Sequence, residues 1–140
     1  MQATVRWTGG LAFGATMGSG GTIALDTTPE SGGRGPSPME ALLAVLGGCT
    51  GMDVISILQK MRAPIEGLEI QISGERAEDH PRVFTHITLE YVFTGATLTP
   101  DQVQRAVTLS QDRYCSVSAM LRKAAALTYS WRIAGTPHHG

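Results

Sequence analysis

The chain has 140 residues, the size of one domain, and can bury about 70 % of the surface its unfolded form exposes. Apolar residues make up 42 % and charged residues only 16 %, against roughly 25 % charged in an average domain, which excludes a disordered chain. Eleven basic and twelve acidic side chains leave a formal net charge of -1, so no strong field exists to collect nucleic acid or an anionic membrane.

The N-terminus, Met1 to Trp7, has no apolar core of the secretory kind, and a cytoplasmic protein is expected. Nine of the 17 glycines fall in the first 35 residues, where tight turns should separate short strands at Thr4 to Trp7, Leu11 to Thr16 and Thr22 to Asp26. This reads as an antiparallel meander followed by an exposed loop from Thr27 to Pro36. Gly18-Ser19-Gly20-Gly21-Thr22 resembles a phosphate-cradling loop by composition alone; without a following Lys it reads as a hairpin turn.

Ser37-Pro38-Met39-Glu40 carries a helix start, with Ser as N-cap, Pro at the first helical position and Glu completing a capping box. The helix should run to Arg62, before Pro64, and it is apolar nearly all round, which suits a core or a subunit interface. Its longest apolar run, from Ala41 through Val45 to Cys49, is shorter than the roughly 20 residues that span a bilayer. No membrane partner is expected.

Leu68, Ile70 and Ile72 alternate with polar residues, as do Ile87, Leu89, Tyr91 and Phe93, and these segments read as an antiparallel strand pair around a polar link from Arg76 to Arg82. Thr99-Pro100-Asp101-Gln102 repeats the capping-box logic, and Val103, Ala106, Val107 and Ser110 keep helical spacing behind it. A shorter helix follows from Ser116 to Ala126. Leu127, Tyr129, Trp131 and Ile133 then alternate in a last strand, with the aromatic rings in the core. Nothing divides the chain, so residues 1–140 are read as one domain.

Two cysteines are too few for a disulfide scaffold or a thiolate zinc site. Burial and chemistry both remain open for them. Cys49 follows Gly47 and Gly48, a pair that costs a helix about 1 kcal/mol each against Ala. Close approach of another element, or access of a ligand to the thiol, would explain those missing side chains. Cys115 precedes the N-terminus of the Ser116 helix, where amide groups favour an anionic sulfur and a lowered pKa is expected. The cysteines lie 66 positions apart, and such a pair suits a peroxidatic and a resolving thiol.

Three motifs now stand out: Ser37-Pro38-Met39-Glu40-Ala41-Leu42-Leu43, Gly47-Gly48-Cys49-Thr50-Gly51-Met52-Asp53 and Tyr114-Cys115-Ser116-Val117-Ser118. In this order they resemble the two cysteine motifs of the OsmC/Ohr family of thiol peroxidases, over nearly the whole chain. The resemblance implies an α+β fold, an intertwined homodimer whose antiparallel sheets pack around a long central Cys-bearing helix, with the site at the dimer interface. It further implies that Cys49 attacks an organic hydroperoxide, that Cys115 forms a disulfide with it, and that a dithiol reduces that bond. No cofactor or metal is implied. The family also sets an arginine and a glutamate beside the reactive sulfur, to stabilise thiolate and polarise the peroxide. Arg34, in Gly33-Arg34-Gly35, is the nearest candidate for the arginine. In the peroxidases the glutamate directly follows the proline; here Met39 stands there and Glu40 comes one later, roughly 180° from Cys49 on a straight helix. Glu40 is therefore either a member of the site or only a cap.

Asp53, one turn after Cys49, should raise the thiol pKa unless it is engaged elsewhere. His80, His86, His138 and His139 have no metal-ligand spacing and are expected to be solvated. The first functional expectation is a homodimeric organic hydroperoxide reductase, with Leu46 and Met52 lending an apolar surround to the site. The second is a non-catalytic dimer that binds a small apolar ligand, with the cysteines merely packed.

Overall fold

A computed structural model describes residues 1–135 and 140, so His138 and His139 lie outside the described residues. The chain divides into two compact units, Met1–Leu42 and Leu43–Gly140. The first holds an antiparallel meander of β1 (Ala3–Gly9), β2 (Ala12–Met17) and β3 (Thr22–Leu25). The glycine-rich segment after β2 is the expected hairpin turn, closed by bonds from Gly20 N to Met17 O and from Met17 N to Gly21 O, each 2.9 Å. The loop beyond β3 is pinned at its base, where Asp26 N donates to Pro36 O, and it contains a 3-10 turn at Pro29–Ser31.

Helix α1 spans Pro38–Lys60, two residues short of the expected end. Ser37 and Glu40 form its capping box: Glu40 N donates to Ser37 Oγ at 3.2 Å and Ser37 N donates to Glu40 Oε1 at 2.9 Å. At 23 residues, α1 is long and apolar enough to cross a bilayer by length and composition alone, which corrects the expectation that no segment reaches that size. Its glycines mark it as a helix packed on a sheet. A Cβ at Gly47 would lie 2.7 Å from Ile72 Cδ1, and one at Gly51 would lie 3.3 Å from Ile70 Cδ1, so the missing side chains bring the strand that carries Ile70 and Ile72 close to the helix. Leu46, Thr50, Val54 and Leu58 form the buried stripe at the spacing of helical turns, while Val45 and Met52 are left exposed.

The second sheet has the order β4 (Gly67–Arg76), β5 (Phe84–Thr94), β6 (Ala126–Ile133). β4 and β5 pair antiparallel, as their alternation implies, and Ile87, Leu89, Tyr91 and Phe93 of β5 are fully buried. β6 pairs with β5 in parallel, which departs from an all-antiparallel sheet. The connection explains this, because two helices carry the chain back to the starting edge and parallel pairing needs such a crossover. Trp131 is buried beneath Gln104, whose Oε1 accepts from its indole N–H, and Tyr129 meets Tyr91 edge-on.

Within that connection, α2 (Pro100–Leu109) starts at the expected Thr99–Gln102 capping box and buries Val103, Ala106 and Val107. It passes into a π turn, Ser110–Tyr114, closed by Cys115 N donating to Ser110 O at 2.8 Å. The last helix, α3 (Ser116–Leu121), is shorter than expected. After Leu121 the bonds tighten to three-residue steps, Lys123 N to Met120 O and Ala124 N to Leu121 O, and the helix ends at Arg122.

Candidate functional site

The second unit brings Cys49 and Cys115 together as free thiols. Cys49 is half-buried on α1, and Cys115 is 3 % exposed at the N-cap of α3. Burial alone would raise the Cys49 pKa, but three donors outweigh it: the Val117 amide, the Cys115 thiol and the Ser116 hydroxyl, whose Oγ lies 3.8 Å from Cys49 Sγ. The net shift is downward, so Cys49 ionises more readily than an ordinary thiol. Asp53 opposes the shift, as its place one turn away implies, while its carboxylate accepts the Ser110 hydroxyl at 3.0 Å.

Cys115 moves the other way, and here the sequence expectation is corrected. Its Sγ accepts from Ser118 N at 3.4 Å and from Ser118 Oγ at 3.1 Å, the N-cap geometry expected of it. Burial is nevertheless the larger effect, and the neighbouring Cys49 adds to it, so its pKa is raised. The first amides and hydroxyls of α3 thus favour the thiolate of the cysteine on α1, and Cys115 supplies a proton donor to that thiolate. The arrangement couples a nucleophile to a protonated second thiol within hydrogen-bond reach, which is the pair that disulfide formation requires.

Arg34 and Glu40 belong to the first unit and are described by their partners there. Arg34 sits on the loop before α1 with its backbone N–H donating to Asp26 Oδ2 at 3.2 Å. Glu40 spends Oε1 on the capping box. His86 lies exposed beside Glu75, 3.5 Å from its carboxylate, and His80 is exposed. Leu46 is fully buried in the core, sealed from solvent, which corrects its place in the expected apolar surround of an accessible thiol. Met52 does belong to a cavity of about 740 Å³ between α1 and β4, together with Gly48, Ile55, Leu68 and Ile70.

Residue by residue the sequence reading passed over Ser116, Val117 and Ser118 as site members, although they stand in the quoted Tyr114–Ser118 motif. Two serines within the first turn of a helix that opens on a cysteine are the signal that was available. Gln111 and Arg122 were also missed. Gln111 follows Val107 at helical spacing, so a polar residue continuing the inner face of α2 into the π turn pointed to a buried partner.

The OsmC-like protein family model matches residues 31–130. The chain is 46 % identical over 133 residues to protein YhfA of Escherichia coli strain K12, covering 95 % of this chain and 98 % of that one. Among solved structures, a hypothetical protein from Aquifex aeolicus is 31 % identical with a TM-score of 0.85, covering 94 % of each chain. The organic hydroperoxide resistance protein OhrB of Bacillus subtilis, 20 % identical, shares the fold with a TM-score of 0.63 over 94 % of this chain and 96 % of its own. The chain therefore belongs to the OsmC-like family and has the OsmC/Ohr fold.

Proposed function

We propose that this protein is a thiol-dependent peroxidase that reduces organic hydroperoxides. The observation that carries the reading is the meeting of two free thiols at the start of α3: half-buried Cys49, with Ser116 Oγ 3.8 Å from its Sγ and its pKa lowered by the α3 donors, and buried Cys115 at the N-cap, its pKa raised. In the first step the Cys49 thiolate attacks the terminal peroxide oxygen, the O–O bond breaks, and the alkoxide takes a proton to leave as alcohol. Cys49 is then a sulfenic acid. Cys115 attacks that sulfur, the S–OH bond breaks, and water leaves as the Cys49–Cys115 disulfide forms. An external dithiol donates two electrons and two protons to restore the thiols.

The reading assigns Arg34 to polarising the peroxide, by its place in the family's order. Glu40 is the corresponding acid only if it can leave its cap. A homodimer is part of the proposal, supported by the exposed Val45 and Met52 on an otherwise apolar helix. A preference for alkyl or aryl hydroperoxides over hydrogen peroxide is part of the proposal, and recycling by a dithiol suits the reducing cytoplasm.

Stopped-flow consumption of cumene hydroperoxide by the reduced protein, with mass spectrometry of the product, tests this. Rapid consumption with loss of two hydrogens and a Cys49–Cys115 linkage is expected, and Cys49→Ser should abolish it. Undiminished consumption by Cys49→Ser would overturn the assignment.

A further inference from the structure

A file of buried polar side chains joins the two segments that carry the thiols. Thr50 directly follows Cys49, Tyr91 comes from β5, and Ser110 and Gln111 come from the π turn before Cys115; Thr50, Tyr91 and Ser110 are fully buried and Gln111 is 2 % exposed. No buried side-chain nitrogen or oxygen among the described residues lacks a partner. Such a network specifies one geometry only when every member is satisfied, and this one is.

Its two ends fix the direction of every proton. The Arg122 guanidinium can only donate, and its Nη2 donates to Gln111 Oε1 at 2.6 Å. That turns the Gln111 NH₂ inward, where it donates to Tyr91 Oη at 2.6 Å and to Thr50 Oγ1 at 3.4 Å. At the other end the Asp53 carboxylate accepts from Ser110 Oγ at 3.0 Å. The single Ser110 proton is then committed, so Thr50 donates to Ser110 Oγ and Tyr91 donates to Thr50 Oγ1, each at 2.7 Å. Burial pushes the Tyr91 pKa up, against the hydrogen bonds of Thr50 and Gln111, and keeps the phenol protonated as this order requires.

Arg122 makes a second bond, from Nη1 to the backbone oxygen of Gln111 at 2.6 Å. One guanidinium thereby ties the end of α3 to the π turn across eleven positions, and Cys115, Ser116 and Val117 all lie inside that span. The clamped span meets the Cys49 helix at Thr50 through Gln111, at 3.4 Å, and Ser110, the residue just before the span, adds bonds to Thr50 and Asp53.

We propose that Gln111, held by Arg122, is the positioning residue of the two-thiol site: it docks the Cys115 segment onto the Cys49 helix, setting both the thiolate-stabilising donors and the delivery of the second thiol. Gln111 touches no reacting atom and acts through the segment it anchors. The proposal rests on Cys49 and Cys115 forming a redox pair, but not on the identity of the oxidant.

Two measurements on the full reduced protein test it without a hydroperoxide. One is the pH midpoint of Cys49 alkylation by iodoacetamide, followed by mass spectrometry. The other is the rate of disulfide closure with diamide, in which the two thiol hydrogens pass to the azo bond as the S–S bond forms. Gln111→Ala and Arg122→Ala are expected to move the midpoint up toward an ordinary thiol and to slow closure about tenfold or more. Arg122→Lys, which can satisfy one of the two acceptors, should recover part of both. If Gln111→Ala fails to fold, Arg122→Ala carries the test, since Arg122 is an exposed residue. Unchanged midpoint and closure rate in Arg122→Ala, with native circular dichroism, would overturn the proposal. A wild-type protein that closes its disulfide with diamide but ignores cumene hydroperoxide would defeat the peroxidase reading and leave this one standing.

Discussion

Cys49 and Cys115 meet the same six-residue helix and draw on its first donors, yet their acidities move apart. Cys115 caps that helix from within the chain, accepts two bonds from Ser118, and is still held neutral by burial. Cys49 approaches the helix from α1, only half-buried, and receives the Val117 amide, the Cys115 thiol and the Ser116 hydroxyl. Solvent access decides between them: donors lower the pKa of a sulfur that keeps some hydration and only offset the desolvation of one that does not. A cysteine at a helix start is therefore not by itself an activated cysteine.

The largest test of this difference is to remove the protonated partner. Cys115→Ser should retain attack by Cys49 on hydroperoxide, since a serine hydroxyl can replace the lost donor, but no intramolecular disulfide can follow. Sulfenic acid at Cys49, trapped with dimedone, should accumulate in stoichiometric amount, and repeated turnover with a dithiol should fall to a small fraction of wild type. Unimpaired formation of a disulfide-linked, recyclable product would show that Cys115 is not the resolver.

A smaller effect separates the two thiols by stability. In Cys115→Ser the remaining Cys49 binds fewer protons when folded than when unfolded, between its lowered pKa and the ordinary thiol value. Stability should therefore rise with pH through that window, and the contribution is lost as pH falls through the folded value. In Cys49→Ser the remaining Cys115 keeps the burial that is the largest cause of its raised pKa but loses the part that Cys49 adds, so stability should fall as pH rises past the ordinary thiol value, less steeply than in the intact pair. Urea unfolding of each variant against the Cys49→Ser/Cys115→Ser double variant isolates the two slopes. Slopes of the same sign would break the comparison.

Much of this fold was legible in the residues, because its elements announce themselves locally. The two capping boxes, at Ser37–Glu40 and Thr99–Gln102, set helix starts to the residue, and the alternation in β5 marked its buried face from Ile87 to Phe93. What stayed hidden depends on contacts remote in sequence. The parallel register of β6 follows from a crossover through two helices, and no local pattern in Leu127 to Ile133 encodes it. The cysteines themselves were legible as a pair through their motifs, whereas the direction of each pKa required knowing which sulfur faces Val117 and which is sealed from water. The Gly47–Gly48 pair resolves unevenly: Gly47 is explained by Ile72, while a Cβ at Gly48 would meet nothing within 4 Å. Gly48 instead borders the cavity beside Met52.

The smallest predicted effect concerns Asp53, which pushes the Cys49 pKa up while taking part in the buried file of hydrogen bonds. Asp53→Asn removes the charge and keeps a side-chain oxygen that can still accept the Ser110 hydroxyl. The iodoacetamide profile of Cys49 should shift to lower pH, in the direction opposite to Gln111→Ala. Its size should be a fraction of a pH unit, because Asp53 is the least of the influences on this thiol and the site is partly hydrated. High salt should shrink the difference between wild type and Asp53→Asn, as screening acts on a charge and leaves the α3 hydrogen bonds in place. A shift upward would mean that the carboxylate serves Cys49 chiefly by ordering Ser110, and the electrostatic contrast between the thiols would then have to be carried by the α3 donors alone.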